Sequence, residues 1–226
     1  MQTVKLVSGG IDSYIMSQEY NGLNIYIDFG QKYAKHEIAA LKDLGVDFET
    51  IVINSNYKEK EIFIPDRNLA MVSIVAMICE PDVIMLAGLL DDNCVDKTPE
   101  AFNQMSEIIS KFANKEIKVT SPYFNLTKGQ LIAQYSDKEK LKYTFSCYNP
   151  LSIHQPCGNC PACLRKAIAL ETNGVDCGYE LTDKIVCEYF EKINQYNADR
   201  VERFFAYLKK RKIVLWENLI KKVANK

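Results

Sequence analysis

Through residue 135 the chain alternates short β-branched runs with helix-forming stretches, and no hairpin signal interrupts the series. Strands that are separated by helices pair in parallel, so the pattern restricts the fold to an α/β sheet covered on both faces. Residues 4–7, 24–29, 48–53, 83–87 and 117–120 read as the five strands; the fourth is a continuous apolar run bounded by Pro81 and Gly88. Helices are predicted from Tyr14 to Tyr20, over 35–44, over 66–80 behind Pro65, over 99–112 behind Pro99, and from a Thr127 cap to Tyr135. The expected fold is an open parallel five-stranded sheet, with ligands bound beyond the carboxyl ends of its strands.

Between the first strand and the first helix stands Ser8-Gly9-Gly10-Ile11-Asp12-Ser13. Strand, glycine turn and helix aim backbone N–H groups and a helix dipole at one point, which suits an anion. Ser8 and Ser13 add hydroxyls, and Asp12 is a candidate helix cap or metal ligand. Neither G-x-x-x-x-G-K-[ST] nor G-x-G-x-x-G occurs, so this is neither a Walker loop nor a dinucleotide fingerprint. A capped strand-to-helix turn is the plainer alternative. The stretch is similar to the pyrophosphate loop of ATP pyrophosphatases, enzymes that cleave ATP between its α and β phosphates.

From about residue 136 the chain turns polar and carries Cys147, Cys157, Cys160 and Cys163, spaced C-x9-C-x2-C-x2-C. Thiolates two residues apart on a tight turn converge on one tetrahedral ion, and Gly158 and Pro161 supply the turn. A structural zinc site is expected, with an iron–sulfur centre or redox thiols as alternatives. His154 is a spare ligand or a loop residue. Cys79 and Cys187 are expected as small buried hydrophobes. Helices are predicted over 164–172, 182–196, 199–212 and 216–223, so residues 1–135 form a nucleotide-binding core and 136–226 a cysteine-rich and helical segment continuous with it.

With 226 residues, 47% of them apolar, the chain can bury a core without disulfide staples. A net charge of −1 gives no global pull toward nucleic acid or membrane. The basic run Lys209-Lys210-Arg211-Lys212 reads as cations at a helix C-terminus. No secretory pattern opens the chain and no apolar run reaches a bilayer-spanning length, so a cytoplasmic location and no membrane partner are expected.

Taken in order, further stretches carry a closer resemblance: Asp28-Phe29-Gly30-Gln31, Ile64-Pro65-Asp66-Arg67-Asn68, Asp96 with Pro99-Glu100, Leu126-Thr127-Lys128, Thr144-Phe145-Ser146-Cys147-Tyr148, and the run from Cys157 to Arg165. Together with Ser8 to Ser13 they are similar to the 7-cyano-7-deazaguanine synthase family of the ATP-pyrophosphatase group. The resemblance implies conversion of 7-carboxy-7-deazaguanine and ammonia to the nitrile, with ATP, Mg²⁺ and a structural Zn²⁺. It implies that Ser8, Gly9, Gly10, Ile11, Asp12 and Ser13 hold the diphosphate, and that Arg67 and Lys128 offset its charge. Asp28, Phe29, Gly30 and Gln31 would line the nucleotide, while Asp91, Asp92, Asp96 and Glu100 would hold Mg²⁺ or the edge of the deazaguanine. A homodimer is expected, with no direct nucleic-acid partner.

One departure stands out. The family usually has arginine just before the Pro-Glu pair, where this chain has Thr98 beside Lys97. An enzyme that stops at the amide is therefore an open alternative. So are a tRNA-modifying pyrophosphatase and a non-catalytic nucleotide sensor.

Overall fold

A parallel sheet forms from β1 (Thr3–Leu6), β2 (Leu23–Asp28), β3 (Glu49–Val52), β4 (Val83–Met85) and β5 (Lys118–Thr120), in the order β3-β2-β1-β4-β5. The structure is a computed structural model that describes residues 1–53 and 66–211. Between the strands run α1 (Ile11–Glu19), α2 (Ala34–Asp43), α3 (Arg67–Cys79) and α4 (Pro99–Ala113). After β5 come α5 (Lys128–Gln134), α6 (Pro161–Glu171), α7 (Asp183–Glu191) and α8 (Ala198–Lys210).

Period-two alternation assigns the two faces. Val4, Leu6, Ile25 and Ile27 pack with Val72 and Val75 of α3 and Phe102 and Met105 of α4. The opposite face takes Val7 and Tyr26 with residues of α1, α2, α5, α6, α7 and α8. Lys5 shares that second face yet is buried, because its ammonium donates to the carbonyls of Ser17 (3.1 Å) and Tyr20 (2.6 Å) at the end of α1. A cation at a helix C-terminus satisfies carbonyls that the helix leaves open. Strand order reverses at β1 and β4, so the crevice that such sheets use for ligands opens beyond those two carboxyl ends.

The expected sheet and its helices are found, with instructive differences. Helix α6 begins at Pro161 and not at 164, because the Cys160 sulfur accepts the Cys163 N–H as a cap and Pro161 occupies the first helical position. The single helix expected over 182–196 breaks at Lys192, and a short 3-10 turn (Ile193–Gln195) follows. Cys79 and Cys187 are only half-buried, and the buried cysteine outside the cluster is Cys177. Lys210 and Arg211 pair with Glu171, which accounts for that part of the basic run. The predicted helix over 216–223, Lys212, Ile64 and Pro65 lie outside the described residues. Among the described residues no helix is long and apolar enough to cross a membrane.

Candidate functional site

A cleft of about 490 Å³ opens at the carboxyl edge of the sheet, bordered by Ser8, Gly10, Ile11 and Asp12. A larger cavity, about 700 Å³, lies between α3 and α4 and includes Glu80, Lys115 and Ile117, which precede β4 and β5. It therefore sits at the amino edge, away from where parallel sheets place their chemistry, and its lining is mostly apolar.

The glycine turn is closed from within. The Ser13 hydroxyl accepts the Ser8 N–H at 3.1 Å, lies 3.2 Å from the Ser8 hydroxyl, and donates to the Gly10 carbonyl at 3.2 Å. Gly9 has φ +69°, and a Cβ there would stand 2.7 Å from the Glu37 carbonyl oxygen. Gly9 is thus required by close approach of α2 behind the turn, while Gly10 has an ordinary extended φ of −76° and faces the cleft. Among the described residues no side chain caps α1, so its first N–H groups stay open to an anion. Asp12 is not the cap: both its carboxylate oxygens lie 2.6 Å from the Lys128 ammonium.

Lys128 opens α5, which Thr127 caps in a reciprocal box with Gln130. The Lys128 N–H donates to the buried Asp91 carboxylate at 3.0 Å. Arg165 of α6 pairs with Asp91 at 3.3 Å and with Asp92 at 3.0 Å. Asp92 also faces Lys97 at 3.4 Å. Burial alone would raise the Asp92 pKa, but Lys97, Arg165 and Lys128 overcome it and hold the group below its usual range. Asp91 is therefore a brace between α5 and α6 and does not line the cleft, whereas Asp92 does.

Of the other carboxylates assigned to substrate, Asp96 accepts from the buried Asn68 amide at 2.8 Å, which ties the turn Val95–Lys97 to α3. Glu100 is exposed in the first turn of α4 and does not line the cleft. Thr98 has a local duty, since its hydroxyl caps α4 by accepting the Ala101 N–H at 3.2 Å. Lys97 does line the cleft, with its charge committed to Asp92.

On the β2 side, the Gly30 N–H donates to Asp28 and the Phe29 N–H to Gln31, which folds the loop back on itself. Phe29 and Gln31 line the cleft. Arg67 donates to the Tyr33 hydroxyl at 3.2 Å. Sequence reasoning missed Glu37, which accepts from the Tyr26 hydroxyl at 2.7 Å and from the Gln31 amide at 3.3 Å. Its only signal was a polar residue one turn into a helix next to the glycine turn.

Burial pushes Glu37 up to about 7, against the lowering effect of its Tyr26 and Gln31 hydrogen bonds and of Arg67. A carboxyl with a raised folded pKa binds its proton more tightly folded than unfolded. Its contribution is whole below the unfolded value near 4.5 and is lost as pH rises to about 7. Glu37→Gln keeps an acceptor for Tyr26 without the charge. Denaturant titrations should show this variant gaining up to roughly 2–3 kcal/mol relative to wild type between pH 5 and pH 8. A difference that stays constant with pH would show that Glu37 does not titrate there.

The four cluster cysteines bring their sulfurs within 4.8 Å of one another. Cys160 and Cys163 sulfurs are 3.5 Å apart and those of Cys157 and Cys163 3.9 Å. Four thiolates about 2.3 Å from one zinc ion stand about 3.8 Å apart, so the set fits a tetrahedral metal. A cluster that gives each iron its own cysteine needs wider spacing. Backbone N–H groups of Cys157, Asn159 and Cys163 donate to the sulfurs, as around metal-bound thiolates. His154 is exposed and 3.3 Å from Asp43, so it serves as a loop residue. Gly158 has φ +62°, and a Cβ there would meet the Glu180 carbonyl at 2.1 Å.

This knuckle is attached to the glycine turn. The Phe145 N–H donates to the Gly9 carbonyl at 2.8 Å, and the Phe145 ring stacks on His36. Buried Lys166 donates to the carbonyls of Lys142 and Thr144, which fixes the same segment from the other side. Burial pushes its ammonium down to about 7.

Residues 46–174, more than half of the chain, match a family described as queuosine biosynthesis protein QueC. Among curated proteins, the 7-cyano-7-deazaguanine synthase of Methanococcus aeolicus is 24% identical over 78% of this chain and 97% of its own length. The protein of that name from Methanosarcina barkeri is 29% identical over 77% of this chain and 96% of its own. Among solved structures, the crystal structure of a predicted subunit of tRNA methyltransferase from Methanocaldococcus jannaschii covers 58% of this chain and 72% of its own at 14% identity. Its TM-score is 0.37. The glycine turn and the four-cysteine knuckle are thus parts of a chain that belongs to the QueC family of queuosine biosynthesis proteins.

Proposed function

We propose that the protein converts 7-carboxy-7-deazaguanine and ammonia to 7-cyano-7-deazaguanine with ATP, in the cytoplasm and as a homodimer. The observation that carries this reading is the uncapped glycine turn opening into the cleft with the Asp12–Lys128 pair beside it. The names of the relatives supply the product, 7-cyano-7-deazaguanine.

A carboxylate is a poor electrophile because its leaving group would be oxide. Transfer of AMP from ATP to the acid oxygen expels diphosphate and leaves an acyl adenylate. Ammonia adds to that carbon, AMP departs, and the amide forms. A second ATP loads AMP onto the amide oxygen; loss of AMP and protons then gives the nitrile. In this reading Ser8, Gly10 and the first amides of α1 take the diphosphate, while Lys128 and Arg67 offset charge that builds on it. Gly9 and Ser13 hold the turn in shape from behind. Phe29 and Gln31 line the nucleotide, with Asp28 and Gly30 folding their loop. Asp96 fixes the turn that carries Lys97 against α3, and Glu100 stays outside the cleft. Asp92, the assigned carboxylate that lines the cleft, would be the residue to hold Mg²⁺, which would screen phosphate charge when bound. Zn²⁺ in the cysteine knuckle supplies a rigid clasp rather than chemistry.

Mass spectrometry of the product separates the readings, because acid, amide and nitrile differ in mass. With excess ATP and ammonium the nitrile should accumulate. Amide as the end product would favour the shorter reaction, which the absence of an arginine at Thr98 and the pairing of Lys97 with Asp92 also favour. No ATP-dependent product from this acid would end the proposal.

A further inference from the structure

Six cationic side chains line the cleft: Arg67, Lys97, Lys128, Arg165, Lys166 and Arg200. Lys97, Lys128 and Arg165 are each within 2.6–3.4 Å of a carboxylate, and Lys166 is enclosed by backbone carbonyls. Among the described residues, Arg67 and Arg200 have no carboxylate partner. Arg67 belongs to the β2 side, with Tyr33 and near Glu37. Arg200 belongs to the other side, since it also borders a small recess with Lys128 and Arg165.

Arg200 is held in a particular way. Its Nε donates to the Tyr189 hydroxyl at 2.6 Å, and its guanidinium carbon lies 3.9 Å above the Tyr196 ring. Among the described residues, its two terminal nitrogens have no acceptor. The break of the helix at Lys192 has a purpose here: the turn that follows stacks Tyr196 on Tyr189 at 4.5 Å and builds the clamp. A guanidinium fixed by one edge and one face loses little freedom when its fork binds phosphate oxygens.

We propose that Arg200, clamped by Tyr189 and Tyr196, binds the diphosphate on the Lys128 side of the cleft. The inference rests on the adenylation reading above. In adenyl transfer the bond between the α-phosphorus and the bridging oxygen breaks, and its electron pair goes to the departing diphosphate. Lys128 faces that charge already half spent on Asp12, and Arg165 is spent on Asp91 and Asp92. Arg200 brings a full positive charge, and its geometry suits two phosphate oxygens at once.

Calorimetric titration of the zinc-loaded full chain with inorganic pyrophosphate and, separately, with AMP tests this. Arg200→Met should weaken pyrophosphate about 10- to 100-fold, the loss of charge-assisted hydrogen bonds, and leave AMP within about twofold. Arg200→Lys should recover part of the loss, and Tyr196→Leu, which frees the guanidinium, should cost a few-fold. Unchanged pyrophosphate affinity in Arg200→Met overturns the inference alone, as does an equal loss of AMP and pyrophosphate. Wild-type protein that binds AMP but no pyrophosphate overturns both it and the adenylation reading.

Discussion

Replacing Lys128 with methionine should lower ATP consumption by about 100- to 1,000-fold, the range seen when a preorganised group facing developing charge is removed. The ammonium and the Asp12 carboxylate are both largely shielded, and they are bonded in both oxygens at 2.6 Å. Methionine fills the volume of the stem without the charge, leaving Asp12 beside the bound phosphates as an uncompensated negative group. The double variant Asp12→Asn with Lys128→Met should be better folded than Lys128→Met alone, since it removes the orphan carboxylate. It should stay nearly as inactive. Steady-state pyrophosphate release, with thermal melting as a fold control, checks both statements. If Lys128→Met retains near wild-type turnover, the pair is structural and the diphosphate lies elsewhere.

Loss of the knuckle metal has the second largest effect. Structural zinc sites contribute about 10–16 kcal/mol of apparent binding free energy at neutral pH, more than the whole stability of most domains. Here that energy would fix the segment whose Phe145 N–H holds the Gly9 carbonyl. Chelation, or Cys160→Ser, should lower the melting temperature by about 10 °C or more and abolish ATP consumption together. Cys187→Ser, at a half-buried thiol on α7 outside the cluster, should do neither. Atomic spectroscopy of the purified chain should find one zinc per chain. Full activity in metal-free protein would detach the knuckle from the nucleotide site.

The parts of this molecule that were legible in the sequence are the local ones. β-branched runs and proline boundaries located the strands and helices, and glycine placement located the turn. Cysteine spacing located the four-thiol cluster, because side chains two residues apart converge through the turn itself. Pairings between distant residues were not legible. Asp12 and Lys128 lie 116 positions apart, so no periodicity connects them, and the aspartate read as a cap or metal ligand. Asp91 read as a substrate carboxylate, but Arg165 arrives from α6 to claim it. Lys192 carries no breaker, and the helix ends there because ring stacking and Arg200 stabilise another path. Tertiary contacts overrode a permissive local preference.

Adenylation at the glycine turn requires that AMP, not phosphate, move from ATP to the acid. Exchange of labelled pyrophosphate into ATP tests it most directly, in the presence of 7-carboxy-7-deazaguanine and without ammonium. Exchange that depends on the acid and disappears in Lys128→Met is the expected result. ADP and inorganic phosphate as products, or no exchange from metal-replete protein that binds ATP, would contradict it.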